Sequence, residues 1–135
     1  QQFSTQFSTT NTQGTATGLL LTVGSVSGDT DFLVLFNEDR KETSWNDTVG
    51  VHQYSLNNGS SYSNFGETYG FWDVNYHSGG TPNMYQQRQG IYLLPVANGS
   101  TLLFRVLGYR NGQSNAYYLN YGSAKSSITA IKITQ

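Results

Sequence analysis

The polar side chains that could carry out chemistry are few, and three of them share one strand face. Asp73, Asn75 and His77 alternate along a β-branched and aromatic stretch, so on a strand they point to the same side. A carboxylate, an amide and an imidazole in such a row could bind a divalent cation or a sugar. A strand face that is polar only because it contacts water has the same pattern, and this second interpretation is favoured.

Acidic residues also gather near two turns, with Asp29 and Asp31 beside Gly28 and with Glu38 and Asp39 one strand later. Clustered carboxylates on loops are the ligands that calcium uses. The helix-flanked calcium loop is absent, however, and acidic residues are ordinary in turns. We therefore expect no metal site.

No pattern in the chain is typical of catalysis. The histidines, His52 and His77, lie in neither a Gly-x-Ser-x-Gly nor a His-Glu-x-x-His context. The sequence places no two carboxylates across a cleft, as a glycosidase would need. There is no cysteine, which excludes thiolate metal sites, disulfides and cysteine nucleophiles. We expect no enzyme activity, no catalytic residue and no cofactor.

Composition indicates one folded domain with an uncharged polar surface. The 135 residues are 14% aromatic and only 11% charged, with a net charge of −1. The few Lys and Arg residues are scattered, so we expect no nucleic-acid partner. No apolar run approaches the length of a membrane span, so we expect no membrane partner.

The pattern along the chain predicts an all-β sandwich or closed barrel. Short β-branched and aromatic runs are separated by turn signals, including Asn58-Gly59, Asn98-Gly99 and Asn111-Gly112. Eight runs at a spacing of about a dozen residues are typical of such folds. The predicted strands are Gly18–Gly24, Asp31–Asn37, Val49–Ser55, Tyr69–His77, Gly90–Val96, Thr101–Tyr109, Asn115–Tyr121 and Ser127–Thr134.

Two of these strands are apolar on both faces. In Asp31–Asn37, Leu33 and Leu35 lie opposite three apolar neighbours, and Thr101–Tyr109 has the same pattern. One face can pack on the opposite sheet, but the other needs a loop or a neighbouring subunit. Tyrosine, which is enriched at interfaces, outnumbers phenylalanine ten to seven. These features favour an oligomer.

Aromatic residues in polar stretches indicate a second class of function, a lectin or carbohydrate-binding module. Aromatic rings beside Asn, Gln and Ser are what a sugar face needs, and binding residues concentrate on loops such as 57–67 and 77–89. The competing interpretation is that these rings belong to the core. The candidate ligand contacts are Trp45, Tyr62, Phe65, Trp72 and Tyr85.

A resemblance to a known family lies in the closing stretch, GSTLLFRVLGYRNGQSNAYYLNYGSAKSSITAIKITQ. It resembles the C-terminal end of TNF-like jelly-roll heads, including those on bacteriophage fibres and spikes. In these heads a strand like STLLFRVLGY precedes a tyrosine-bearing strand, and the chain ends on a strand like SSITAIKI. The resemblance spans about Thr17 to Gln135 and is one of strands and turns, without a diagnostic motif.

The resemblance implies a homotrimer of eight-stranded antiparallel jelly rolls. Such a knob lies at the virion surface and takes part in host attachment by binding rather than by catalysis. Its partners would be other spike or vertex proteins, reached through a preceding N-terminal part, and a host surface receptor. The interface candidates are Tyr117, Leu119, Tyr121 and Ile131, although Tyr118 on the opposite face leaves open which face meets the three-fold axis.

The tetrapeptide Gln-Phe-Ser-Thr occurs twice in succession, at Gln2 and at Gln6. Phe3 and Phe7 do not alternate every second residue, so the segment does not form a strand face. We expect residues 1–16 to be the flexible remnant of a stalk or collar, and residues 17–135 to be the head domain.

Overall fold

The computed structural model describes residues 2–3, 7–9, 15–43, 47–66, 71–73, 83–111, 117–119 and 125–133. Within these ranges the chain is all-β, and its strands form two antiparallel sheets arranged as a sandwich. This confirms the predicted all-β class. The strands are β1 (Gln2–Phe3), β2 (Phe7–Thr9), β3 (Thr15–Ser25), β4 (Thr30–Thr43), β5 (Asp47–Ser55), β6 (Ser63–Asn64), β7 (Phe71–Asp73), β8 (Asn83–Val96), β9 (Thr101–Asn111), β10 (Tyr117–Leu119) and β11 (Ser126–Ile133).

Sheet A contains β1, β2, β4, β8, β10 and β11, with β4 at its centre. On one side β4 pairs with β8 along its whole length, from Thr30 opposite Val96 to Thr43 opposite Asn83. On its other side β4 pairs first with β11 and then with β10. Both β4 and β8 extend beyond the predicted Asp31–Asn37 and Gly90–Val96, because their polar halves also pair with each other.

Sheet B has the order β3-β9-β5-β6, and β7 also pairs with β5. The β3–β9 ladder is interrupted twice, and the larger irregularity lies between Ala16 and Leu20. There, the three residues Thr17 to Leu19 face the single residue Val106, which makes an enlarged β-bulge. The hydroxyl of Thr17 donates to the Val106 carbonyl at 3.0 Å and accepts from the Leu19 amide at 3.2 Å.

The core lies between the two sheets and is rich in aromatic residues. Over residues 31–40 of β4, 87–96 of β8 and 126–131 of β11, the even-numbered residues point inward and the odd-numbered residues point outward, because the ladders pair even with even. Phe36 lies near the middle, with its ring 5.8 Å from that of Phe65 and 6.4 Å from that of Phe104. The buried cluster is Leu19, Val26, Phe32, Val34, Phe36, Phe65, Leu94, Val96, Leu102, Phe104, Val106 and Ile128.

Two short strands of sheet A come from the N-terminal segment. Gln2–Phe3 pairs with β11, and Phe7–Thr9 pairs with β10. β3 then begins at Thr15, inside the predicted stalk remnant. Each Phe-Ser-Thr unit is β-compatible, and pairing satisfies backbone groups at the edge of sheet A that would otherwise be bare.

Candidate functional site

The most conspicuous surface feature is an apolar patch on the outward side of sheet A. We call it the apolar face; it consists of Leu33, Leu35, Ile91, Leu93, Pro95, Ile131 and Ile133. Leu93, Leu33 and Ile131 lie side by side across β8, β4 and β11, whereas in the end row the acid Asp31 lies between Pro95 and Ile133. These residues are odd-numbered and alternate along β4 and β8 with buried residues such as Phe32, Val34 and Leu94.

The apolar face is exposed in the single chain. Ile91 and Leu93 keep 65% and 61% of their surface accessible, and Ile131 keeps 49%. The next row towards the other end of the sheet is polar, with Gln89, Asn37 and Ser127 in register. Contiguous apolar patches rimmed by polar residues mark interaction surfaces, whereas apolar residues scattered singly need no explanation.

The second strand that is apolar on both faces is covered by the chain itself. Leu103, on the outward side of β9, is only 8% exposed. The chain after β5 folds back here, and the amide of Asn58 donates to the carbonyl of Thr101 at 3.0 Å. A loop of the same chain therefore lies beside the outward side of β9, whereas the apolar face stays exposed in the single chain.

A buried polar cluster of Glu38, Arg40, His52 and Tyr92 lies between the sheets. Arg40 Nε donates to Glu38 Oε2 at 2.8 Å, and His52 Nε2 contacts Glu38 Oε1 directly. His52 Nδ1 lies 2.8 Å from the Tyr92 hydroxyl. Since Glu38 and Arg40 are on β4 and His52 is on β5, the contacts connect sheet A to sheet B. Glu38 is 0% and Arg40 2% exposed.

The surroundings shift the pKa values of Glu38 and Tyr92. Burial alone would raise the pKa of Glu38, but the charge of Arg40 and the hydrogen bond from His52 outweigh burial and hold that pKa well below 4.5. Burial and the Glu38 charge raise the pKa of Tyr92 to about 12.

Two glycines make room for the cluster. A Cβ atom on Gly50 would lie 2.7 Å from Arg40 Cζ and 2.8 Å from Glu38 Oε2. A Cβ atom on Gly90 would lie 2.7 Å from a ring carbon of Tyr92. Real Cβ contacts are longer than this, so the side chains fit only because both positions lack a side chain.

Tyr92, His52 and Glu38 form a line of contacts from β8 to β5 and back to β4, so these side chains fix the two sheets against each other. The sequence signal is the continued alternation after Phe36, in which Glu38 and Arg40 occupy the next two inward positions. The grouping of Glu38 with the turn carboxylates is therefore wrong.

A cleft lies on the outward side of sheet B, at the enlarged bulge of β3. We call it the bulge cleft; it has a volume of about 190 Å³ and is lined by Ala16, Gly18, Leu20, Tyr62 and Arg105, with Leu19 and Val106 at its base. The Arg105 guanidinium lies over the Tyr62 ring, 3.4 Å from the centroid. Gln53 accepts from Arg105 Nε at 2.8 Å and donates to Asn64 at 2.6 Å, so the arginine is held from below.

The predicted ligand contacts that the structure describes lie in different parts of the fold. Tyr62 lines the bulge cleft. Phe65 is 7% exposed and stacks on Tyr92 at 4.3 Å, so it is a core residue and presents no ring face to a ligand. Trp72 and Tyr85 lie in β7 and β8, strands of different sheets, while Trp45 falls outside the described residues.

The predicted interface residues divide in the same way. Ile131 lies on the apolar face. Tyr117 and Leu119 belong to β10 of sheet A, where Leu119 pairs with Arg40. Tyr121 lies outside the described residues.

The predicted polar row and the turn acids do not assemble into a metal centre in the described part of the chain. No group of three or more His, Asp or Glu residues is arranged there to hold a metal ion. Asp29 instead accepts a hydrogen bond from the Asn98 amide at 2.9 Å. Asp73 lies in β7, and Asn75 and His77 are not described. The same described residues include no helix with the length and apolarity of a membrane span.

Comparisons with protein-family models, with curated proteins and with solved structures find no match for this chain.

Proposed function

We propose that this domain is the non-catalytic head of a viral spike, a homotrimer at the virion surface that takes part in host attachment. The observation that supports it most is the apolar face, because a monomer that exposed Ile91 and Leu93 to water would gain by covering them with a second copy. In the proposed trimer each chain covers part of this face with its neighbour, in a closed ring of repeated contacts.

The order of the strands supports a jelly-roll topology within this proposal. The chain crosses from β4 in sheet A to β5 in sheet B, returns to sheet A with β8, and crosses again to β9 and back to β11. Repeated crossing between two sheets is characteristic of jelly rolls, whereas a meander would keep successive strands in one sheet.

The number of subunits and the viral setting come from the sequence resemblance. The closing stretch most resembles the head of the vertex spike of a tailless, membrane-containing bacteriophage, a tectivirus. On this proposal the partners are two further copies of the chain, other vertex proteins through a preceding N-terminal part, and a host surface receptor. Three copies of a weak binding site would increase the avidity of attachment.

Light scattering on a sizing column, at low micromolar concentration, tests the proposal. We expect a mass of three times 14.9 kDa for the unaltered chain. Leu93→Arg places a charge in the apolar face and should give a monomer. Leu56→Arg is the matched control, since Leu56 is also exposed, at 38%, but lies in the turn after β5. It should leave the trimer intact.

Each outcome has one meaning. A monomer for the unaltered chain overturns the spike-head proposal. A dimer that Leu93→Arg dissociates overturns the trimer and keeps the apolar face as an interface. A trimer that survives Leu93→Arg removes the apolar face from the proposal.

The alternative function is a free-standing carbohydrate-binding module or lectin. The bulge cleft favours it, because a fixed arginine and an aromatic ring lie there beside apolar side chains. A monomer in the same experiment supports this alternative.

A further inference from the structure

We propose that the bulge cleft binds a carboxylate-bearing sugar, one acidic residue of a surface glycan. The inference deepens the proposed attachment function and takes its biological meaning from it. Binding at the cleft, however, is a property of the single chain, because every residue that lines it comes from β3, β9 and the segment before β6.

The shape of the cleft follows from the enlarged bulge. Three residues of β3, Thr17 to Leu19, lie opposite one residue of β9, so β3 bends away from β9 there. Gly18 has φ +79°, and a Cβ atom there would meet nothing within 4 Å among the described residues. The bulge is held in this shape by the hydroxyl of Thr17. Bulges that re-aim a strand in this way are frequent next to binding sites.

The charge in the cleft is positioned before any ligand arrives. Gln53 binds only Nε of Arg105, and Tyr62 supports the guanidinium from one side. An arginine has five N–H donors, and Gln53 is the one hydrogen-bond acceptor of this guanidinium among the described residues, so its two terminal amino groups can bind a planar anion such as a carboxylate. A side chain fixed by neighbours loses less entropy when it binds, which favours even a small ligand.

The size and lining select the rest of the ligand. A volume of about 190 Å³ corresponds to about six water molecules at ~30 Å³ each, enough for one sugar ring but not for a long chain. Apart from Arg105 and Tyr62, the lining is apolar, and Ala16 and Leu20 are among its exposed members. The C–H face of a pyranose can pack there while its carboxylate reaches the guanidinium.

Amide NMR spectra recorded during titration with methyl β-D-glucuronide test the proposal. Methyl β-D-glucoside is the neutral partner, since it differs only at the carboxylate. We expect the glucuronide to shift the amides of Gly18, Leu19 and Leu20, and to bind about tenfold or more tightly than the glucoside. Added salt should weaken the binding of the glucuronide and leave the binding of the glucoside unchanged.

Two variants connect the binding to Arg105. Arg105→Gln should weaken the binding of the glucuronide about tenfold or more. Lys125→Gln is the control, because it removes an exposed cation elsewhere and should leave this binding unchanged. Arg105→Lys keeps the charge but loses the two-pronged geometry, so it should bind with intermediate strength. If Arg105→Gln fails to fold, Arg105→Lys against Lys125→Gln provides the same comparison.

Three results overturn the inference. The first is equal binding of glucuronide and glucoside. The second is no shift of the three bulge amides by the glucuronide. The third is that cyclohexanecarboxylate binds as tightly as the glucuronide. The cleft would then be a site for a simple organic acid rather than for a sugar. A monomeric chain that binds glucuronide supports the cleft and overturns the spike head, whereas a trimer that does not bind it keeps the spike head and overturns the cleft.

Discussion

The imidazole of His52 stacks on the ring of Phe36, with 4.1 Å between centroids and 7° between planes. Phe36 belongs to sheet A and His52 to sheet B, so this contact joins the apolar core to the buried polar cluster. Residues that belong to both an aromatic stack and a charge network tolerate little displacement, because moving one breaks two kinds of contact. Substitutions in this region should therefore have large effects on stability.

Removing the charge of Glu38 should be costly near neutral pH. We expect Glu38→Gln to lower the free energy of unfolding by about 3 kcal/mol, because the Arg40 charge stays buried without its carboxylate. The pKa of Glu38 is lowered by folding, so its contribution is present above about pH 4.5 and is lost as the pH falls further. The difference in unfolding free energy between the unaltered chain and Glu38→Gln should therefore become smaller below pH 4.5.

Urea unfolding at several pH values measures this difference. Asp31→Asn is the control, since Asp31 is a half-buried acid at an outward position of β4. An equal loss of stability in both variants would contradict the assigned role of Glu38.

Tyr92 should make the protein sensitive to alkali. Its pKa is raised by folding from 10.0 to about 12, so the stabilisation is complete below pH 10 and is lost as the pH rises through 12. Tyr92→Phe removes that ionisation, and its unfolding free energy should fall less steeply over this interval. Tyr62→Phe makes the same chemical change at the bulge cleft and is the control. Identical slopes for the unaltered chain and Tyr92→Phe would refute the prediction.

Gly50 should not accept a methyl group. We expect Gly50→Ala to lower the unfolding free energy by about 1–3 kcal/mol, because the added Cβ atom displaces the Arg40 guanidinium. A double-mutant cycle with Glu38→Gln/Arg40→Met as the second change separates this clash from strand propensity. In that background the cost of Gly50→Ala should shrink, and an unchanged cost would show that the guanidinium is not the obstacle.

The turn at Asn58-Gly59 gives a prediction independent of the cluster. Both residues have positive φ, 56° and 80°, a conformation that costs an L-residue about 1–2 kcal/mol. Gly59→Ala should lower the melting temperature measurably, and Asn58→Gly should be nearly neutral. Ser60→Ala is the control at ordinary φ. The prediction fails if Gly59→Ala and Ser60→Ala have the same melting temperature.

The sequence predicted the strands well where apolar alternation was strong. Phe32, Val34 and Phe36 mark β4, and each of the eight predicted strands contains at least a segment of described strand. The Asn58-Gly59 turn was predictable because glycine and asparagine are the residues that adopt positive φ. Leu33 and Leu35 predicted a strand that is apolar on both sides, and they lie on the outward side of β4.

The functional features were harder to predict, because each depends on contacts distant in sequence. Glu38 and His52 are 14 residues apart, and only the packing of two sheets brings them together. The bulge cleft needs a register shift that a single strand does not encode. Arg105 and Tyr62 likewise meet only because the chain folds back after β5.

In β4, β8 and β11 the inward residues form the core and the outward residues form a surface, so the two sets can change independently in evolution. Substitution at odd positions, such as 33, 91 or 131, can alter what the domain assembles with and leave the interior untouched. A single-residue deletion inside β8 has the opposite effect: beyond that point it exchanges the two faces, exposing one set of side chains and burying the other. Lineages of this protein should therefore diversify by substitution along these strands and confine changes of length to the turns.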